Sequence, residues 1–164
     1  MSRRRRKSGV IRKEAYRGAP TEYFVRASRV PSPGDGSCMF HSLAHFLGKK
    51  AQDVREEVVL WMDREKETFV VDGTPLVNWV EYSHVPFKTY LKRMRSPREW
   101  GGHTELVAAH NLYKRNISVY EPKSGLYKRI ERMSKPAFPE GEEMHLLFSP
   151  GHYDALSNVK KTVF

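Results

Sequence analysis

The chain holds one cysteine, Cys38, in the run Pro33-Gly34-Asp35-Gly36-Ser37-Cys38-Met39-Phe40-His41-Ser42-Leu43. A tight Asp-Gly-Ser turn ends where an apolar, helix-competent segment begins. The thiol is therefore expected in the first turn of a helix, where unpaired backbone N–H groups and the positive dipole end favour a thiolate. The same N–H groups could hold a developing oxyanion. Near the other end the chain reads Pro150-Gly151-His152-Tyr153-Asp154-Ala155-Leu156. In a strand, residues two apart share a face, so Asp154 could orient His152 while His152 takes the proton from Cys38. That is the arrangement of nucleophilic cysteine catalysis. Against it stands the plain alternative that a lone cysteine is a small core residue.

The elements that must position these groups follow from patterning. A helix is expected over 37–47, with Phe40, Leu43, Ala44 and Leu47 on its buried face and Gly48 as its C-cap. A second helix covers about 51–66, started by Gln52 or Asp53, with Val54, Val58, Trp61 and Met62 inward. Residues 22–30 supply an extended entry segment, and Asp72-Gly73-Thr74-Pro75 a turn. Pro86 opens a helix over 86–95, and Thr104 one through about Tyr113. Ile117–Tyr120 is expected to pair with Leu126–Ile130 across Lys123-Ser124-Gly125. Residues 144–148 and 152–156 form two further strands. Helices come first and strands last, without an internal repeat, which predicts an α+β domain with a small, mostly antiparallel sheet packed between helices.

At these residues a resemblance is visible. The Asp35–Leu43 block resembles the nucleophile motif of the ovarian-tumour (OTU) family of cysteine deubiquitinases. Trp100-Gly101-Gly102-His103-Thr104-Glu105-Leu106 resembles its middle block, and Gly151–Leu156 its terminal histidine block. The three occur in the family's order over residues 35–156. The resemblance implies an OTU-like cysteine protease fold and hydrolysis of isopeptide bonds to ubiquitin or a ubiquitin-like modifier. Cys38 would be the nucleophile, His152 the base and then acid, and Asp154 the group fixing the imidazole. The nucleophile loop Asp35, Gly36 and Ser37 would build the oxyanion hole, from the backbone N–H groups of Asp35, Gly36 and Cys38. Trp100, Gly101, Gly102, His103 and Tyr153 are candidates for the substrate cleft. Trp79, Tyr82 and His84 fall where the family often contacts ubiquitin. Some members carry Asn or another polar residue where this chain has Asp154; whether a polar group upstream of Asp35 supports the triad stays open.

Plainer roles compete at several positions. Asp35 suits a helix-capping or turn carboxylate. His41 and His45, four apart, lack the further ligands of a zinc pattern, so no metal or cofactor is expected. His145 reads as a hydrogen-bonded core or edge histidine, His103 equally as a helix start, Trp100 as a packing residue, and Met39 and Phe40 as core.

Composition bounds the partners. The chain has 164 residues and a net charge of +10. Residues 1–30 hold ten basic and two acidic residues, leaving the remaining 134 at a net +2. Residues 1–20 therefore read as a basic, disordered N-terminal arm, and 21–164 as a single catalytic domain. The arm suits nuclear import or weak contact with nucleic acid or an anionic surface, or is a solvated tail. The longest apolar run, Val58 to Met62, is far too short to span a bilayer, and no secretory signal or myristoylation glycine is seen. A monomer in the cytoplasm or nucleus is expected, and compactness suits a viral or microbial effector acting in a host cell. The rival readings are a ubiquitin-binding module without catalysis and a nucleic-acid-associated protein led by the arm.

Overall fold

A computed structural model describes residues 22–162, so the basic arm expected over 1–20 lies outside the described residues. In chain order the elements are β1 (Phe24–Val30), α1 (Cys38–Leu47), α2 (Ala51–Arg64), β2 (Val70–Val71), β3 (Thr74–Pro75), α3 (Leu76–Glu81), α4 (Phe87–Met94), α5 (His103–Tyr113), β4 (Ile117–Lys123), β5 (Leu126–Met133), a 3-10 turn (Glu140–Glu142), β6 (Met144–Ser149) and β7 (His152–Lys161). The α+β class is as expected. The five long strands are ordered β1-β5-β4-β6-β7 and close on themselves, because β7 pairs back onto β1. Every pairing is antiparallel except β4 with β6.

Local chemistry fixes several of these boundaries. Gly48 ends α1 at φ 64° and donates its N–H to the Ala44 carbonyl, the left-handed C-cap that glycine adopts without strain. The β4–β5 hairpin turns on Ser124 and Gly125, both at positive φ, which matches the twist of the flanking strands. The β6–β7 turn uses Pro150 and Gly151, with Gly151 at φ 77° and Ser149 opposite His152. Proline before a left-handed glycine is the natural sequence for such a turn, and it delivers His152 as the first residue of β7. Helix α2 begins at Ala51, as the expected span of about 51–66 has it, but with Lys50 rather than Gln52 or Asp53 as the residue that starts it. The segment expected to be a turn at 72–75 is the tip of the two-stranded β2–β3 ladder, which leads directly into α3.

The core has two parts. The helices and the sheet face beneath them bury Phe40, Leu43, Val58, Met62, Leu106, Val119 and Leu146. The closed sheet holds a smaller cluster of Val25, Tyr120, Leu147 and Leu156. Residues 117–120 of β4 are buried on both faces, which explains why that strand reads as a short run with little polarity. Helix α1 packs mainly on β7 and α2, so the helix bearing Cys38 lies against the strand bearing His152 and Asp154.

Among the described residues no helix is long and apolar enough to cross a membrane. Leu146, fully buried on β6, tests the packing. Leu146→Ala should lower unfolding free energy by about 2–5 kcal/mol. In urea this should appear as a lower midpoint with an unchanged slope.

Candidate active site

The turn before α1 is built around a glycine that no other residue could replace. Gly36 sits at φ +84°, and a Cβ there would stand 2.6 Å from the Arg98 carbonyl oxygen. Asp35 shapes the turn: its Oδ1 accepts the Ser37 N–H at 3.0 Å, and its Oδ2 lies 3.1 Å from His41 Nε2. That backbone hydrogen bond, with help from His41, holds the Asp35 carboxyl below its usual value. Ser37 is the N-cap residue of α1, yet its hydroxyl does not cap the helix. It donates instead to the Pro97 carbonyl at 2.7 Å.

The loop is anchored from beneath by Arg55 of α2, which is fully buried. Its guanidinium donates to Met94 O at 2.8 Å, Glu99 O at 2.9 Å, Gly36 O and Pro97 O at 3.2 Å each, and Ser37 Oγ at 2.9 Å. It also stacks 4.3 Å from the centre of the Phe40 ring. Burial pushes this guanidinium down from its ordinary value, opposed by the charges of Glu105, Glu99 and Asp35.

Cys38 is the first residue of α1 and is almost wholly buried. Its Sγ accepts a hydrogen bond from the Tyr153 N–H at 3.3 Å. On β7, His152 Nε2 lies 2.7 Å from Asp154 Oδ1, so the ring donates to the carboxylate and Nδ1 is the nitrogen left for other work. The Asp154 side chain is 5% exposed and that of His152 29%. Asp154 Oδ1 also takes the Ser32 N–H at 2.8 Å. Ser32 in turn is joined to α1, since its hydroxyl stands 3.0 Å from that of Ser42, which donates to the Cys38 carbonyl at 2.8 Å.

Cys38 and His152 open onto a shared pocket of about 300 Å³. Gly101, Gly102 and Gly151 line it, with Met39, Trp100, Phe148 and Tyr153. Gly101 is pressed against α1, because a Cβ there would come within 2.4 Å of the Met39 side chain. Gly102 is held by Glu105, whose Oε1 accepts its N–H at 2.8 Å and whose Oε2 accepts the Tyr90 hydroxyl. Burial raises the Glu105 carboxyl, and burial with the adjacent carboxylate raises the Tyr90 phenol. A buried thiol at a helix start, an oriented imidazole and a glycine-lined groove are the parts that acyl transfer on a slender, extended substrate requires.

Not every sequence candidate joins this pocket. His103 begins α5 and turns away, with Nδ1 2.6 Å from Glu131 Oε2, onto a separate depression with Val107 and His110. Trp100 does join the pocket, as a cleft residue rather than a packing one: it is 62% exposed and forms the rim beside Gly151. Trp79 donates to the Thr104 hydroxyl at 3.3 Å, Tyr82 is exposed, and His84 lies at φ 65°. His41 faces Asp35, and His45 meets the Phe46 ring edge-on. His145 lies 3.0 Å from the Tyr120 hydroxyl, and burial lowers its pKa. Among the described residues no group of three or more His, Cys, Asp or Glu is placed to hold a metal. Sequence reasoning missed Arg55 and Glu105. Arg55 did carry a signal, as the charged member of the helical stripe Arg55, Val58, Val59 and Met62.

Comparison with known proteins follows the same outline. The family described as OTU-like cysteine protease matches residues 33–153. An Arabidopsis thaliana protein named ovarian tumor domain-containing deubiquitinating enzyme 4 is 31% identical over 135 residues, covering 76% of this chain and 41% of the plant protein. The viral OTU domain protease of Taggert virus superposes with a TM-score of 0.63 at 22% identity, covering 82% of this chain and 79% of that one. The Hazara virus OTU, solved bound to ubiquitin, superposes at 0.59 with 18% identity, covering 86% and 84%.

The anchoring role of Arg55 is open to measurement. Arg55→Met keeps an apolar stem over Phe40 but strips donors from four carbonyl groups. It should cost about 2–4 kcal/mol in denaturant unfolding and slow alkylation of Cys38 by a small electrophile. Unchanged stability would remove the anchor from this account.

Proposed function

This chain belongs to the OTU-like cysteine proteases, and on that premise we propose that it is a thiol-dependent deubiquitinase. Its substrate is the isopeptide bond between a C-terminal glycine of ubiquitin, or of a modifier with a similar tail, and a lysine amine. The observation that carries the proposal is the shared pocket: Cys38 and His152 open onto one groove whose walls include three glycines. A tail ending in glycine suits such a groove because its three glycines leave the walls open where a β-carbon would narrow them.

In this mechanism the Cys38 sulfur attacks the glycine carbonyl while His152 Nδ1 receives the thiol proton. Asp154 holds Nε2–H at 2.7 Å and stabilises the imidazolium that forms. The Tyr153 N–H at 3.3 Å lends the sulfur a donor before attack. Charge on the tetrahedral oxygen is met by backbone N–H groups of Asp35, Gly36 and Cys38. The Ser37 N–H serves the turn instead, being committed to the Asp35 carboxylate. Collapse expels the lysine amine, which takes its proton from His152, and leaves a thioester on Cys38. Water, activated by the same imidazole, attacks the thioester and restores the thiol.

Ubiquitin bearing a C-terminal thiol-trapping electrophile tests the nucleophile. The wild-type protein should form a covalent adduct, and Cys38→Ala should form none while still binding ubiquitin. A folded wild-type protein that forms no adduct would defeat the proposal and favour a non-catalytic binding module. In steady-state cleavage, Asp154→Ala should keep about 10–10² more rate than His152→Ala, as when one group orients the base and the other carries the proton. Equal losses would give Asp154 a larger part than orientation.

A further inference from the structure

The carboxylate that orients His152 is fixed from outside its own strand. Asp154 Oδ1 is shared between His152 Nε2 and the Ser32 N–H, at 2.7 and 2.8 Å. Its other oxygen, Oδ2, faces Arg29 Nε at 3.3 Å. Arg29 lies on β1 opposite Leu156, so it reaches diagonally across the β1–β7 pairing to a carboxylate two residues away. The Asp154 side chain is 5% exposed and that of Arg29 is 56% exposed, so the pair joins a buried acceptor to a cation at the surface.

Both oxygens of a buried carboxylate need donors, and here they are supplied from two directions. A carboxylate gripped at Oδ1 alone could swing about its last side-chain bond. Held at Oδ2 as well, it keeps Oδ1 aimed at the imidazole while the ring gains and loses its proton. Arg29 is not among the residues bordering the pocket, so its route to the chemistry runs through Asp154.

We infer that Arg29 is a positioning residue for the proposed reaction, clamping Asp154 Oδ2 so that the carboxylate stays aligned with His152. The inference rests on the assignment of Cys38, His152 and Asp154 made above. It concerns the rate of proton transfer and makes no demand on ubiquitin affinity.

Steady-state hydrolysis of ubiquitin carrying a C-terminal amide-linked fluorophore separates the two. Relative to wild type, Arg29→Ala should lower kcat about three- to tenfold with KM within about twofold, since one charge-assisted contact acting through another residue is lost. Arg29→Lys, which retains the charge but not the directed Nε–H, should recover part of the loss. Melting temperatures should stay close to wild type, because Arg29 is largely exposed. An unchanged kcat in Arg29→Ala would overturn the inference. So would a raised KM with kcat intact, which would make Arg29 a substrate contact. Absence of turnover in the wild-type protein would instead overturn the underlying assignment, and the inference with it.

Discussion

One guanidinium holds this molecule's reactive loop in place. Arg55 is fully buried on α2 and ties the turn before Cys38 to the segment that follows α4. On one side it grips Gly36 and Ser37, and on the other Met94, Pro97 and Glu99. A lysine would bring a point charge; only a planar group with several donors can satisfy so many oxygens at once. Withdrawing a cation from water is costly, and most of its partners are neutral carbonyls. The compensation comes from the number of hydrogen bonds, the face of Phe40 and the nearby charge of Glu105.

From that anchor the site divides its work between a helix and a strand. The helix presents sulfur at its first turn, where the backbone offers donors without competition from the Ser37 hydroxyl. The strand presents imidazole and carboxylate two residues apart, immediately after a turn that leaves little freedom in how His152 emerges. Glu105 does for the Gly102 side of the groove what Arg55 does for the nucleophile loop, again from a buried position. Of the groove's glycines, Gly102 is tethered by the buried Glu105 and Gly101 lies against Met39, while Arg55 fixes the neighbouring Gly36-Ser37 turn.

What the sequence disclosed follows from the range of the forces involved. The Asp-Gly-Ser turn, the Gly48 cap, the Ser124-Gly125 hairpin and the alternation at His152–Asp154 are decided within a few residues, and all could be read locally. The two-residue strands β2 and β3 and the short helix α3 could not. Such elements exist only because tertiary contacts hold them, and their patterns are too brief to show a period. Trp100 reads from residue type as either a cleft or a packing residue, and only the fold of the loop around it decides for the rim. Arg55, Glu105 and Arg29 act on partners remote in the chain, so their roles became visible only once those partners were brought together. Tyr153 was legible as a cleft candidate, but not the use of its backbone N–H on sulfur.

The pairing of β1 with β7 gives the site a history as well as a geometry. Ser32 meets Asp154 across a sequence separation of 122 residues, and Tyr153 meets Cys38 across 115. Contacts so distant in sequence form slowly and late. During vectorial synthesis Cys38 emerges long before the strand that carries His152, so the growing chain passes through a period in which the thiol has no imidazole beside it. Cys38 and His152 come to share one pocket only once β7 has been made and packed against α1.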